Sequence, residues 1–470
     1  MIYQFRAKFK KSLYDLTNLL YQIRGVITFT PFDRETPEGR SLERYRLIIM
    51  SAVTNFGAKA VTSILSLVTV PLTFNYMGVE IYGLWMIVSS LVVWLQLSDL
   101  GIGNGLLNAL TEAYGRNDIE AANNYITTSV MSLTILSIAA IYPTYLLSFY
   151  MPWDLVLNIH DPGYIEIVKK CFFIVGIFFL ISMPLTVVTK IFIAYQLGFI
   201  PNIFQIIVSI VSLILLIICI FLKLNILWFA ALMSLAPLIG SIFLWIIFFR
   251  KMDWYSFNFN FFEGFKRLAN SSLPLFILQI FALMINNLTN IIISNKANLT
   301  LVSEFNIVYK VYLFIFFIGT AISIPFYPAI RESLVSGDVK WANKSIKRVL
   351  FFRVTIVFCS SLPFLFIGDR LISLWVGHNL VYPLDCLGWL LFVLCLMIVA
   401  FASTLGEILL FNDILWPQII ISSLTAVILV YSLVKTIPEY GMKAVYFSFI
   451  ISNLHTIIWG YYRIKRLCNH

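Results

Sequence analysis

From residue 47 onward, apolar runs of about twenty residues or more alternate with short polar intervals. A helix of that length crosses the roughly 30 Å hydrocarbon core of a bilayer. The pattern predicts twelve spans, at 47–75, 81–107, 121–150, 165–196, 200–222, 226–250, 267–294, 303–331, 343–367, 385–411, 415–436 and 441–464. Runs such as IIVSIVSLILLIICIFL over 206–222 show none of the alternation that a lipid-spanning barrel strand requires, so the spans are helices. The third, fifth, sixth and eleventh are nearly featureless.

The first span is different, because its polar residues are ordered. Ser51, Asn55, Lys59, Thr62, Ser66, Thr69 and Thr73 recur at three- and four-residue intervals and form one stripe. By helical rise Lys59 lies about 18 Å from the start of its span, near the bilayer centre. A lysine at that depth costs about 2.5 to 3.5 kcal/mol on insertion scales unless it meets water or a partner. Asn55, Lys59 and Thr62 are therefore expected to line a water-filled cavity. Lys169, Lys170 and Lys190 fall near the ends of the fourth span, where snorkelling to the interface accounts for them.

The second six spans repeat the first six. A displacement of 220 residues sets Asp118-Ile-Glu-Ala-Ala-Asn123 on Asp338-Val-Lys-Trp-Ala-Asn343, places Gln279 where Lys59 stands, and places Asn286 where Ser66 stands. An even number of helices per copy preserves orientation, so two six-helix lobes related by an axis along the membrane normal are expected, with a cavity between them. The corresponding division is a basic amphipathic segment and linker over 1–46, an N-terminal lobe over 47–250, a linker over 251–266, a C-terminal lobe over 267–464 and a tail over 465–470. In the second lobe Asn306 and Lys310 lie one turn apart and Arg353 sits within the ninth span. Asp99 and Glu407 lie towards the ends of the second and tenth, where an acid can pair with a base or hold a coupling cation.

Composition agrees with this reading: 60% of the 470 residues are apolar, 12% are charged and the mean hydropathy is +0.89. The net charge of +10 raises the prospect of a nucleic-acid surface, but its distribution removes it. Outside the spans, the odd-numbered connections hold only Lys223, Lys296 and Arg370, with Lys435 at the outer end of the eleventh span, and the remaining basic residues outside the spans lie on the other side. The positive-inside rule then puts both termini in the cytoplasm. Residues 1–46 contain no secretory signal. Their apolar positions at Ile2, Phe5, Phe9, Leu13, Leu16, Leu20 and Ile23, beside Arg6, Lys8, Lys10 and Lys11, suit a helix on the anionic leaflet. The six cysteines and four histidines lack metal spacing, no phosphate-binding loop of the G-x-x-x-x-G-K-[ST] type occurs, and no cofactor is expected. The outer loops are too short for a catalytic domain, which leaves little room for a glycosyltransferase or polymerase.

At VPLTFNYMGVEIYGLW, LSDLGIGNGL and AYGRNDIEAANNY the chain resembles the oligosaccharide flippases of the polysaccharide-exporter branch of the multidrug/oligosaccharidyl-lipid/polysaccharide superfamily, which translocate O-antigen or capsular repeat units. The resemblance implies a multi-pass protein of the bacterial inner membrane. It implies movement of an undecaprenyl-pyrophosphate-linked oligosaccharide from the cytoplasmic to the outer leaflet by alternating access, without covalent chemistry. Lys59, Lys310 and Arg353 would then neutralise the pyrophosphate, and Asn55, Thr62, Gln279 and Asn286 would bond sugar hydroxyls. Asp99 and Glu407 are the candidates for a coupling proton or sodium ion. Expected partners are the lipid-linked oligosaccharide, membrane lipids, and a polysaccharide polymerase with its chain-length factor. A cation-coupled drug antiporter of the same superfamily is the main alternative, although the first span carries no buried acid.

Overall fold

The computed structural model describes residues 37–116, 118–251, 260–323, 326–335, 338–377, 380–381, 383–412 and 416–467. Residues 1–36 of the amphipathic segment and linker expected over 1–46, and most of the linker between lobes, lie outside the described residues.

The first half comprises α1 (Pro37–Met77), α2 (Val79–Trp94), α3 (Ile102–Arg116), α4 (Ile119–Tyr150), the short α5 (Trp153–Leu157), α6 (Pro162–Leu185), α7 (Val187–Ala194), α8 (Phe199–Phe221) and α9 (Ile226–Lys251). The second comprises α10 (Phe261–Lys296), α11 (Leu299–Ser323), α12 (Phe326–Val335), α13 (Val339–Val376), α14 (Cys386–Phe411), α15 (Trp416–Tyr440) and α16 (Met442–Leu467). Among the described residues there is no strand, and ten helices are long and apolar enough to cross a membrane. The two remaining predicted spans are the rod broken between α2 and α3, and α16, which carries Arg463, Lys465 and Arg466 near its end.

Three departures from the sequence pattern have local causes. Helix α1 starts at Pro37, ten residues before the apolar run, with a proline at its first position and Arg46 chelating both oxygens of Glu43 at 2.7 Å. The predicted continuous second span is interrupted: Leu95–Asp99 tightens into a 3-10 turn, Leu100 and Gly101 take φ of 49° and 75°, and α3 begins anew. The third departure is a kink in α13 at Ile367 (φ −135°, ψ 24°), four residues after Pro363, whose ring removes a helix donor.

The two aspartates aligned by the 220-residue displacement both cap helices. Asp118 accepts the Ala121 N–H at 2.9 Å and Asp338 accepts the Trp341 N–H at 3.1 Å, the same cap at the same place in each half. Within the first half α1 packs on α8, and α6 on α4 and α9. Within the second, α14 packs on α16 and α13, and α10 on α15. The halves meet where α11 and α10 lie against α2, and α10 against α3 and α4.

Candidate functional site

The two halves are sealed at the end marked by Gly78, the turn between α1 and α2. Ser303 donates to the Val79 carbonyl, Ser294 donates to Leu157 O at 2.7 Å, and Asn295 donates to Leu155 O at 3.0 Å. A Cβ on Gly83 would lie 2.5 Å from Leu299 O, so only glycine lets α11 approach this closely. Deeper in, a buried relay crosses three helices: Asn306 donates to Asn290 at 2.9 Å, and Asn290 to Ser90 at 2.5 Å. The last segment of α13 is tied to α1 by Trp375 Nε1 on Leu67 O and Asn75 Nδ2 on Val376 O, both at 3.0 Å. Every tie reaches a backbone group or an uncharged side chain, a set that can be released without exposing a buried charge.

Below this seal α1 and α11 run antiparallel, with Phe56 stacked on Phe317 at 5.8 Å. Lys59 lies three residues from Phe56 and Lys310 seven from Phe317, spacings that keep each lysine on its ring's face. By helical rise the two lie about 4.5 Å and 10.5 Å from their rings, both towards the Gly78 end. Lys59 and Asn55 are exposed and Lys310 is half-buried. None of the three makes a hydrogen bond or ion pair among the described residues; the seam thus carries two cations and no counter-ion there.

The remaining expected residues are distributed differently. Thr62 turns away from the seam and meets Ser209 of α8 at 3.1 Å, just as Thr54 meets Asn202 at 3.2 Å. The polar stripe of α1 therefore serves two faces, one packed on α8 and one free. The side chain of Asn286 lies outside the described residues. Arg353 is 0% exposed and donates to Glu407 at 2.7 Å, to Thr320 at 2.9 Å and to Tyr327 at 3.1 Å, with its guanidinium 5.0 Å from the Phe316 ring centroid. Tyr327 also donates to Glu407. These two candidates neutralise each other inside the second half.

Asp99 and Gln279 line one cavity at the broken rod. Around the break lies a cavity of about 240 Å³ lined by Asp99, Gly103, Ser182, Thr186, Lys190 and, from the other half, Gln279. Asp99 accepts the Gly101 N–H at 2.8 Å and so fixes the break. Lys190 donates to Asn104 at 3.0 Å. A Cβ placed on Gly103 would stand 3.7 Å from both Asp99 Oδ2 and the Lys190 Cε. Lys190 was expected to snorkel; it turns inward instead, because α6 ends at Leu185 and α7 restarts at Val187, which swings its face onto α3. The usable signal was Asp-Leu-Gly, a turn sequence inside an apolar run.

The architecture is shared with known transporters. The solved structure of the lipid II flippase MurJ in an inward closed conformation superposes with a TM-score of 0.70 over 87% of each chain, at 15% identity. The Vibrio cholerae MATE transporter VcmN gives 0.64 over 91% of this chain and 98% of that one, at 14% identity. At such identities the likeness is one of fold. In sequence, a Salmonella typhi protein named for O-antigen transport is 22% identical over 435 residues, 89% of this chain and 97% of that protein. Residues 50–334, more than half of the chain, match the family described as polysaccharide biosynthesis protein. This chain, a multi-pass membrane protein with a transporter fold, belongs to that family.

Proposed function

We propose that the protein is a flippase that carries an undecaprenyl-pyrophosphate-linked oligosaccharide repeat unit from the cytoplasmic to the outer leaflet by alternating access, in surface polysaccharide synthesis. The observation that carries this reading is the pair of lysines at the α1–α11 seam, Lys59 and Lys310, without a counter-ion among the described residues. A MATE-type fold suits many cargoes, but two unneutralised cations between lobes suit an anionic one. A diphosphate would supply the missing charge, and the prenyl chain would remain in lipid beside the seam. With the Gly78 end outside, as the distribution of basic residues supports, the seal described above closes the outer side, and the cargo is received from the cytoplasmic side. Asn55, on the free face one turn from Lys59, would bond the cargo's hydroxyls. The halves move as an N-terminal lobe over 47–250 and a C-terminal lobe over 267–464. A polymerase and chain-length factor would take the product outside.

The test is complementation of a deletion strain with wild type, Lys59→Ala and Lys310→Ala, assaying surface polysaccharide and lipid-linked repeats on each leaflet. Repeats trapped inside in the deletion, released by wild type and retained by both variants are expected. Normal export by either variant at wild-type abundance would remove that lysine from the path.

A further inference from the structure

The cavity at the broken rod has a chemistry distinct from that of the seam. Its two charged side chains, Asp99 and Lys190, come from the same half and balance each other, so the cavity is neutral overall. That argues against an anion as its occupant. It also argues against a bare metal ion: no group of three or more metal-ligating side chains exists among the described residues, and an ammonium stands in the wall. The lining mixes the apolar side chains of Leu133, Phe179, Met183 and Val187 with hydroxyls, an amide and both charges, which suits an occupant with an apolar face and polar edges rather than a wholly apolar one.

The hydrogen-bonding capacity that remains is specific. Ser182 donates to Phe179 O at 2.7 Å and Thr186 donates to Met183 O at 2.8 Å, so each hydroxyl has used its proton on its own helix and keeps lone pairs for an incoming donor. Asp99 Oδ1 takes the Gly101 N–H, while Oδ2 has no hydrogen-bond donor among the described residues. The Gln279 side chain likewise makes no hydrogen bond among the described residues, and its amide offers two donors and an acceptor. The lining thus joins the acceptors of Asp99, Ser182 and Thr186 to the Gln279 amide and the Lys190 ammonium, with Phe179 among them. Vicinal hydroxyls on an apolar ring face answer this arrangement. The volume, about 240 Å³, equals about eight waters at roughly 30 Å³ each, which is room for one pyranose ring.

We infer that this cavity is a subsite for one uncharged sugar residue of the cargo, held between Asp99, Ser182 and Thr186 of the N-terminal half and Gln279 of the C-terminal half. The inference rests on the flippase reading and deepens it. The seam lysines hold the charged end of any lipid-linked cargo, whereas this cavity selects the sugar. Because Gln279 belongs to the opposite half, movement of the lobes dismantles the subsite and releases the sugar.

The experiment uses the full chain in lipid nanodiscs and saturation-transfer NMR with the methyl glycosides of glucose, galactose and N-acetylglucosamine. At least one glycoside is expected to receive saturation from wild type. The signal is expected to fall about tenfold in Thr186→Val/Gln279→Leu, which removes two hydrogen-bonding groups at nearly constant shape. It is also expected to fall in Gly103→Ala, whose added methyl meets nothing nearer than 3.7 Å and only narrows the space. If the double variant fails to fold, Gly103→Ala carries the comparison alone. Transfer that survives unchanged in the folded variants, or the absence of transfer to any glycoside from a wild-type protein that restores export, overturns the subsite and leaves the flippase reading intact. Transfer lost in the variants but with no export restored by wild type supports the subsite and overturns the flippase reading.

Discussion

Removing the carboxylate of Glu407 is the sharpest perturbation that the second half offers. Arg353 is 0% exposed, and its strongest contact is Glu407 at 2.7 Å. In Glu407→Ala the guanidinium keeps Thr320 at 2.9 Å, Tyr327 at 3.1 Å and the Phe316 face, none of them charged. Breaking one partner from a buried pair costs about 3 to 5 kcal/mol. The Glu407 side chain is 28% exposed, so water can reach the vacated site and the low end applies: about 3 kcal/mol, roughly a hundredfold in the unfolding constant. Arg353→Met/Glu407→Leu removes both charges at similar volume and is expected within about 1 kcal/mol of wild type, because a buried pair replaced by apolar groups is often neutral or stabilising.

The double-mutant cycle is read by unfolding in mixed micelles, following exposure of the buried thiols Cys171, Cys219 and Cys395 after Cys359, Cys386 and Cys468 are replaced by serine. The same double variant is expected to restore export in the deletion strain, since Arg353 balances Glu407 and is not needed for the cargo's pyrophosphate. Additive losses across the cycle would refute the pairing argument. A double variant that folds normally and exports nothing would instead place Arg353 in the transport path.

Three further outcomes are expected. Gly83→Ala puts a Cβ 2.5 Å from a backbone carbonyl of α11, so it should force the halves apart at the Gly78 end, measured as increased labelling of a cysteine placed at Ser90; unchanged labelling would show that the contact is not part of the seal. Trp375→Phe with Asn75→Ala deletes both ties from the end of α13 to α1, and should raise outer-side accessibility of Leu67→Cys at least severalfold without changing abundance. Asp385 caps α14 through Gly388 N–H at 2.8 Å and pairs with Lys443 at 2.7 Å; chiefly Lys443, then the Gly388 bond, hold its carboxyl below the usual carboxylate range. Its stabilisation is therefore present above the ordinary aspartate pKa and lost as pH falls through the depressed one, so wild type and Asp385→Asn should converge in melting temperature only in strong acid.

What the sequence made legible is what the bilayer dictates. The spans and the depth of Lys59 follow from rules about apolar length and the cost of charge, and these hold whatever the helices touch. What it hid depends on which neighbour a face meets. Thr62 belongs to the same stripe as Lys59, yet α8 supplies Ser209 and takes it away from the seam. Arg353 and Glu407 are 54 residues apart, and nothing local to either announces the other. Lys190 looked interfacial because hydropathy averages over a window, and a window does not register a helix that stops and restarts within two residues. The break at Asp99-Leu-Gly101 was concealed in the same way, although its residues were in plain view as part of a family motif. That coincidence has a physical basis. Gly78 with φ 77°, Gly83 against Leu299 O, and the left-handed Leu100-Gly101 pair are places where the backbone must leave the ordinary helix or admit another at close range. Few residues satisfy such positions, whereas most lipid-facing positions accept any apolar side chain. The stretches that carry a recognisable pattern are thus the turn, the contact between lobes and the wall of a cavity, which are the parts that must change if one side is to open as the other closes.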